Sequence, residues 1–247
     1  MSQPKNSLHW LAPGSPFPSV DHAWGPDTDG PGLLAAGADL SVKTLVQAYS
    51  QGIFPWFSLG QPILWWSPDP RMVLQTQDFQ LHHAFKKTLR RFIHDEHCEL
   101  RIDHAFEQVI SACANTPRKT QRGTWIVPEM VEAYCALHEA GYAHSVETWR
   151  QGQLVGGLYC VAIGAAVFGE SMFSHASDAS KIALAGLVAL CRAHGVAHID
   201  CQQNTAHLAS LGAREVPRHH FVQAVRSASL VPGPSWKFSP LYWDHLI

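Results

Sequence analysis

This sequence predicts a mixed α/β (α+β) fold, because stretches with helical periodicity and stretches with strand-like composition follow each other in a characteristic order. Helices come first, then three consecutive strands, and then a helix, a strand and a short helix. The hydrophobic content of 46% and the charged content of 15% are those of a globular chain with a large core. The helices are predicted at residues 82–92, 102–114, 128–141, 180–194 and 204–212, and the strands at residues 144–149, 154–163, 165–173 and 197–202.

Turn and capping residues mark the ends of these elements. Pro128 occupies the favoured first turn of its helix, and Gly141 ends that helix. Gly195 ends the helix over residues 180–194, and the next strand then completes a strand–helix–strand unit after the antiparallel strands. This order is that of the acetyltransferase-like (GNAT-type) fold, which we predict for the C-terminal part of the chain.

The first 75 residues differ in composition from the remainder, being rich in Pro, Gly and Trp. They contain one clear helix, which Ser41 can cap and Gly52 ends. We therefore predict a small N-terminal domain over residues 1–75 and an acetyltransferase-like catalytic domain over residues 76–247. The aromatic side chains around residues 52–71 either fill the core of the small domain or line a pocket against the larger one.

Composition excludes several classes of function. The net charge of −2 is not that of a general nucleic-acid coat, so any nucleic-acid contact must come from a local basic patch. The six cysteines form no C-x-x-C pair, the sixteen histidines form no H-E-x-x-H pattern, and no metal or cofactor is predicted. No apolar run reaches the roughly 18 residues of a membrane span. The N-terminus has no apolar signal segment, so we expect a cytoplasmic protein without membrane contact.

Polar side chains enter two strands that should otherwise be apolar. Glu170 lies in the strand over residues 165–173, and Asp200 and Gln202 lie in the strand over residues 197–202. In an extended backbone, positions i and i+2 point to the same side, so Asp200 and Gln202 should share one face. Burying these groups is unfavourable unless something polar meets them, and a substrate is therefore expected there.

Basic residues are concentrated on one predicted helix and in one loop. Spacing of four residues places Lys86 over Arg90 and Lys87 over Arg91 on the surface of the helix. The basic face is either a solvated surface or a site for phosphate groups of a nucleic acid, and Arg71 could join it. The loop residues with the same prediction are Arg118, Lys119 and Arg122.

Two familiar chemistries do not fit the sequence. An acyl-CoA site of this fold needs a glycine-rich turn before the long helix, and residues 174–180 contain no glycine. The segment at residues 169–173 departs from the G-x-S-x-G elbow of serine hydrolases. Cys201 should point into the core on the face opposite to Asp200, which argues against a nucleophilic cysteine.

The chain resembles the leucyl/phenylalanyl-tRNA–protein transferase family. Nine segments carry the resemblance in the family's order, and they lie between residues 52 and 213, so the resemblance covers most of the chain. The segments are residues 52–57 (GIFPWF), 63–71 (ILWWSPDPR), 123–126 (GTWI), 144–147 (HSVE), 155–159 (VGGLY), 169–174 (GESMFS), 179–181 (ASK), 199–202 (IDCQ) and 209–213 (ASLGA).

The resemblance implies a function and a set of partners. Members of the family move leucine, phenylalanine or sometimes methionine from aminoacyl-tRNA onto proteins that begin with Arg or Lys, which creates a degradation signal in the bacterial N-degron pathway. We expect a monomer, because the tRNA must reach an open face.

The resemblance also implies roles for particular residues. Trp56 and Trp125 would contact or shape the site of the terminal adenosine, and Glu170, Asp200 and Gln202 would form the reaction centre. Cys160 and His175 depart from the family pattern, and three of the pocket residues replace larger ones. The apolar pocket for the transferred side chain would be lined by Leu158, Val167, Leu187, Cys191 and Ile199.

The expected mechanism follows from the chemistry of the two substrates. The ester of an aminoacyl-tRNA is already activated, so orientation of the attacking amine matters more than a strong base. We expect Asp200 to hold the amine and either to take its proton or only to position it. We expect Gln202 to orient the amine or the ester, and Glu170 to attract the cationic first residue. In the alternative, Asp200 and Glu170 only pair with a buried cation such as Lys181. The competing functions are an acyl-CoA-dependent N-acyltransferase and a non-catalytic tRNA-binding module.

Overall fold

The computed structural model describes residues 8–116 and 126–247 and contains two β-sheets. The predicted residues Arg118, Lys119, Arg122 and Trp125 lie outside the described residues. The smaller sheet has the strand order β1-β2-β4-β3, and its strands are β1 (His9–Leu11), β2 (Leu33–Gly37), β3 (Phe54–Pro55) and β4 (Leu64–Trp66). Helix α1 (Val42–Tyr49) begins as predicted, because the Ser41 hydroxyl accepts a hydrogen bond from the Thr44 amide at 3.3 Å.

The larger sheet has seven strands in the order β11-β5-β10-β9-β8-β7-β6. Within it only β9 and β10 pair in parallel, and helix α5 connects them. The strands are β5 (Arg71–Gln75), β6 (Cys98–Ile102), β7 (Ala143–Arg150), β8 (Gln153–Ile163), β9 (Ala166–Ser174), β10 (His198–Asp200) and β11 (Arg214–Val216). The remaining helices are α2 (His83–His94), α3 (Phe106–Asn115), α4 (Pro128–Glu139), α5 (Ala179–Ala193), α6 (Ala206–Ser210) and α7 (Arg218–Ala228). Short 3-10 helices occupy Val20–His22, Thr76–Asp78 and Pro240–His245.

Both faces of the large sheet are covered by helices, so the sheet is the middle layer. Successive residues of β8 alternate between two apolar clusters, with Tyr159 in one and Leu158 in the other. We call the face that carries Tyr159 face A; helices α1, α3, α4 and α7 contribute to its cluster. We call the face that carries Leu158 face B; helices α2 and α5 contribute to its cluster.

This architecture confirms the predicted mixed α/β class, and the predicted elements occur in the predicted order, but strands β5, β6 and β11 and helix α7 were not predicted. The three consecutive strands lie within two residues of their predicted bounds, and Gly141 ends α4 with a φ of 80°. Strand β5 belongs to the larger sheet, although it falls inside the segment predicted as the N-terminal domain. The division into residues 1–75 and 76–247 remains a prediction. None of the helices in the described ranges has both the length and the apolar character needed to cross a bilayer.

Two predicted boundaries were wrong, for the same physical reason. The helix expected from residue 102 begins at Phe106, because Ile102 ends a strand and Asp103 turns the chain with a φ of 55°. The strand expected to reach Gln202 ends at Asp200, and Gln202 adopts a φ of 55°. The left-handed conformation is uncommon outside glycine, and aspartate adopts it more readily than glutamine, so Asp103 carried a weak compositional signal and Gln202 carried none.

Candidate active site

The two parallel strands separate at the centre of the sheet. Strands β9 and β10 pair at Val167 with Ile199 and at Phe168 with Asp200, after which β10 ends and β9 continues to Ser174. The carboxyl ends of parallel strands are where open α/β sheets bind ligands. Beyond the last pair, Glu170 on β9 and Gln202 after β10 both remain partly exposed, so the fork between these strands is the candidate active site.

Asp200 is fully engaged by a buried arginine. Its oxygens Oδ1 and Oδ2 accept hydrogen bonds from Arg71 Nε at 2.8 Å and from Arg71 Nη2 at 2.6 Å. The Arg71 and Asp200 side chains are 0% and 1% exposed. The rings of Phe54 and Phe221 lie 4.7 and 4.5 Å from the guanidinium carbon. This geometry fixes the carboxylate on both of its oxygens, as in other bidentate pairs.

These contacts correct two points of the sequence interpretation. Arg71 is buried in the protein, so the idea that it joins a phosphate-binding surface was wrong. The buried cation beside Asp200 is Arg71, whereas Lys181 pairs with Asp178 at 2.8 Å. A signal for Arg71 was present, because it is the single Lys or Arg between Lys43 and Lys86 and lies next to an apolar, aromatic segment.

Glu170 forms the second half of the site. Its Oε1 accepts a hydrogen bond from Gln202 Nε2 at 3.2 Å, and its Oε2 accepts one from the Tyr134 hydroxyl at 3.4 Å. The Tyr134 hydroxyl in turn hydrogen-bonds the Tyr49 hydroxyl. Although part of the residue is accessible, protein atoms enclose the carboxyl group, and this burial raises the pKa of Glu170 to about 8. Hydrogen bonding from Tyr49 and Tyr134 and the charge of Arg71 oppose the rise, while the charge of Asp200 adds to it.

The turn after β10 joins the two halves. The backbone amide of Gln202 donates to Asp200 Oδ1 at 3.0 Å, while the side-chain amide of Gln202 donates to Glu170. The three polar residues predicted for the reaction centre are thus brought together, although by a turn and not by an extended strand. Asp200 faces Arg71 instead of solvent, so the groups available to a substrate are Glu170 and Gln202. Tyr49, Tyr134 and Arg71 were not predicted as parts of this site.

The apolar residues predicted for the aminoacyl pocket are also brought together, but on face B. All five belong to one apolar cluster and are at most 3% exposed: Leu158, Val167, Leu187, Cys191 and Ile199. A transferred side chain could enter this cluster only if packed groups moved. Cys201 packs against the same cluster, as predicted, and burial raises its pKa to about 12, which disfavours a thiolate nucleophile.

A second opening lies on face A, behind the ion pair. A mostly apolar cavity of about 490 Å³ is bounded by strands β5, β9 and β10 and by helix α7. Asp200 and Phe221 line it, whereas Glu170 and Gln202 do not. The cavity is therefore distinct from the fork between β9 and β10.

The basic helix is α2, which presents its cations away from the core. Phe85, Leu89 and Phe92 are buried, as the predicted periodicity requires. The helix carries four cationic side chains, which are Lys86, Lys87, Arg90 and Arg91. Within the described parts of the chain, none of them has a carboxylate oxygen within 4.0 Å of its charged nitrogen atoms. Helix α2 lies on face B, where Lys181 of α5 comes within 5.9 Å of the Phe85 ring. These cations remain free to meet phosphate groups.

Trp56 belongs to the small sheet region and is partly exposed. Its ring lies 5.4 Å from the ring of Trp66, and the Trp66 indole donates to the Trp56 carbonyl oxygen at 2.7 Å. The aromatic run therefore fills the small core in part and leaves Trp56 partly exposed. The adenosine contact of Trp56 remains a prediction.

Comparison with known proteins gives a consistent result across almost the whole chain. The family model described as "Leucyl/phenylalanyl-tRNA protein transferase" matches residues 73–226, and the model of the N-terminal domain of the same family matches residues 38–69. A Polaromonas protein named leucyl/phenylalanyl-tRNA–protein transferase is 62% identical over 238 residues, covering 96% of this chain and 93% of its own. A protein of the same name from Albidiferax ferrireducens is 58% identical over 247 residues, covering 100% and 97% of the two chains.

Solved structures overlap less well. A GCN5-related N-acetyltransferase from Kribbella flavida superposes with a TM-score of 0.31 at 11% identity, covering 66% of this chain and 56% of that chain. An overlap of this size is too small to support a comparison of individual sites.

Proposed function

The chain belongs to the leucyl/phenylalanyl-tRNA–protein transferase family and is an aminoacyltransferase, and we propose that it transfers leucine, phenylalanine or methionine from tRNA to the α-amino group of proteins that begin with Arg or Lys. The added residue marks the protein for degradation in the bacterial N-degron pathway. The observation that carries the proposal is the hydrogen-bonded pair of Glu170 and Gln202, partly exposed where β9 and β10 separate. We place the reaction in the cytoplasm, where charged tRNA is made, and in a single copy of the chain.

The reaction needs little chemical activation. The amine nitrogen attacks the ester carbonyl carbon, a C–N bond forms, and the C–O bond to the tRNA ribose breaks. The proton that leaves the amine is passed to the ribose oxygen. An α-amino group has a pKa of about 7.7–8.0, so roughly a tenth of it is neutral at pH 7. Placing the two reactants together can contribute on the order of 7–11 kcal/mol.

Glu170 is the residue best suited to carry that proton. Its pKa of about 8 lies close to that of the amine, so the proton can move in either direction near neutral pH. Gln202 lies beside it and can orient the amine or the ester carbonyl through its amide. Asp200, held on both oxygens by Arg71, supports this arrangement through the backbone amide of Gln202. In its ionised form, Glu170 also favours an acceptor whose first side chain is cationic.

The donor would lie toward face B. The side chain of the transferred amino acid would enter the cluster formed by Leu158, Val167, Leu187, Cys191 and Ile199, and the terminal adenosine would meet Trp56 and Trp125. An apolar pocket separates related side chains by only about 1–3 kcal/mol, so mixed use of leucine, phenylalanine and methionine is expected. The tRNA phosphates would lie along α2 and the loop that contains Arg118, Lys119 and Arg122.

One assay tests the proposal and its alternatives. Radiolabelled Leu-tRNA is incubated with the protein and peptides that differ only in their first residue (Arg, Lys, Asp) or carry an acetylated α-amino group, with and without acyl-CoA. We expect label on the Arg and Lys peptides alone, independent of acyl-CoA. Transfer of the acyl group of acyl-CoA to the peptide, detected as its mass increase, without transfer of labelled leucine would indicate an N-acyltransferase. Tight tRNA binding with no labelled peptide would indicate a tRNA-binding module.

A further inference from the structure

We infer that Tyr49 and Tyr134 are positioning residues that hold the Glu170 carboxyl group in its working place and protonation state, an inference that rests on the proposed function. The two tyrosines come from helices α1 and α4, and Glu170 comes from strand β9. The chain of hydroxyl groups therefore joins helix α1, which lies between strands β2 and β3 of the small sheet, to the centre of the large sheet. Neither hydroxyl touches the predicted paths of the substrates, because both tyrosines are 0% exposed.

Hydrogen-bond direction in this chain is set by the number of protons available. When Glu170 is ionised, its carboxylate only accepts, so Tyr134 donates to Glu170 Oε2. Because Tyr134 has spent its one proton, Tyr49 must donate to Tyr134. Burial raises the pKa of Tyr49 and Tyr134 well above the usual tyrosine range, so both remain donors at all working pH values. Two protonated hydroxyls in series therefore stabilise the charged form of Glu170.

Packing holds the two rings in this arrangement. The Tyr49 ring lies 5.1 Å from the ring of Phe168, and the Tyr134 ring lies 5.5 Å from that of Tyr159 in an edge-to-face contact. Two phenylalanines would fill the same space without burying any hydroxyl. Replacing both partners of a buried hydrogen bond by apolar groups of the same shape is nearly neutral for stability. The two hydroxyls are therefore not needed for the stability of the core. We assign them instead to their contact with Glu170.

Several other charged or titratable groups face Glu170 and set the background against which the tyrosines act. Arg71 on β5 lowers the pKa of Glu170, and Asp200 on β10 raises it. The buried Cys160 and Tyr159 come from β8, and burial raises the pKa of Cys160, so this thiol remains neutral. Removal of a tyrosine hydroxyl leaves all of these groups in place. The pKa of Glu170 should then rise, because burial is opposed by fewer hydrogen bonds.

The test compares Tyr49→Phe, Tyr134→Phe and the double variant with wild type and with Tyr142→Phe. Tyr142 is a partly exposed tyrosine just after α4 and is not part of the hydroxyl chain. The kcat/KM for transfer from Leu-tRNA to an Arg-initiated peptide is measured against pH. We expect the acid limb of each chain variant to move up by about one pH unit, with about a tenfold loss at pH 7 that is recovered at higher pH. Urea unfolding of the double variant should change little, whereas Tyr134→Phe should be less stable because it leaves the buried Tyr49 hydroxyl without its acceptor. Tyr142→Phe should match wild type in both measurements.

A second measurement does not depend on transfer activity. The carboxyl C=O infrared band of Glu170, assigned by its loss in Glu170→Gln, is titrated in wild type and in the two single variants. We expect its protonation midpoint to rise in both. Unchanged infrared midpoints, or a uniform loss of kcat/KM at every pH, would overturn the inference. If wild type transfers nothing, the proposed function fails, and the infrared titration still decides the role of the tyrosines.

Discussion

The ion pair between Arg71 and Asp200 offers the sharpest test of how the site is built. In Asp200→Asn, the guanidinium of Arg71 stays charged at every accessible pH but loses its carboxylate in a place with 0% exposure. Breaking a buried pair by removing one partner lowers the free energy of unfolding by about 3–5 kcal/mol. The guanidinium keeps its contacts with the rings of Phe54 and Phe221 in this variant. We therefore expect a loss of stability in the lower part of that range.

The double variant Arg71→Met/Asp200→Asn shows whether the loss of stability comes from the unpaired charge of Arg71 or from the altered packing. It leaves no buried charge, and the asparagine oxygen can still accept from the Gln202 amide. We expect its free energy of unfolding to return to within about 1–2 kcal/mol of wild type, because uncharged replacements of buried pairs are often neutral. The exposed pair of Arg101 and Glu99 is the matched control, and Glu99→Gln should change stability by less than about 1 kcal/mol.

Urea unfolding followed by tryptophan fluorescence measures these four proteins and the single variant Arg71→Met, which completes the double-mutant cycle; the chain contains nine tryptophans. Strong non-additivity between the single and double variants is the expected result. If Asp200→Asn unfolds within about 1 kcal/mol of wild type, or if the two substitutions are additive, the buried pair does not hold the fork together. Transfer activity of the refolded double variant then shows whether the Asp200 carboxylate also takes part in the reaction.

Two further predictions concern Glu170 and helix α2. The pKa of Glu170 is raised from 4.5 to about 8, so the folded state keeps a proton that the unfolded chain releases, and wild-type stability falls as pH rises from about 4.5 to 8. Glu170→Gln lacks this loss, and its advantage in urea unfolding should grow with pH to about 4 kcal/mol near pH 8; parallel pH dependences would contradict the assignment. Alanine at Lys86, Lys87, Arg90 and Arg91 should raise KM for charged tRNA and flatten its dependence on salt, by about 0.7–0.9 in log–log slope per lost phosphate contact. The exposed Lys43→Ala should leave that slope unchanged, and an equal slope in the α2 variant would remove α2 from the tRNA site.

Local signals in the sequence predicted the elements around the site well. Ser41 caps α1, Pro128 begins α4, and residues 82–92 lie almost wholly within the observed amphipathic α2, because each of these features depends on neighbours a few residues away. The polar residues of β9 and β10 were recognisable for a similar reason, since they interrupt apolar strands. The two strands that carry these polar residues are joined by one helix, and in such a strand–helix–strand unit the carboxyl ends of the two strands lie at the same edge of the sheet.

The contacts that define the site could not be predicted in this way. Arg71 and Asp200 are 129 positions apart, and Tyr49 and Tyr134 are 85 apart, so only the folded sheet and its helices bring them together. Gln202 reaches Glu170 because it leaves the strand with a φ of 55°, a conformation that its residue type does not announce. These long-range contacts exclude Asp200 from solvent. For that reason the proposed chemistry gives Glu170 a larger role than Asp200.

The most direct test of the central claim is single-turnover transfer of labelled leucine from tRNA to an Arg-initiated peptide by Gln202→Ala and Gln203→Ala. Gln202 donates to Glu170 in the fork between β9 and β10, whereas its neighbour Gln203 is exposed. We predict that Gln202→Ala slows transfer by about 10²-fold or more with unchanged tRNA affinity, and that Gln203→Ala transfers at the wild-type rate. Equal rates for the two variants would contradict a reaction centre at Glu170 and Gln202.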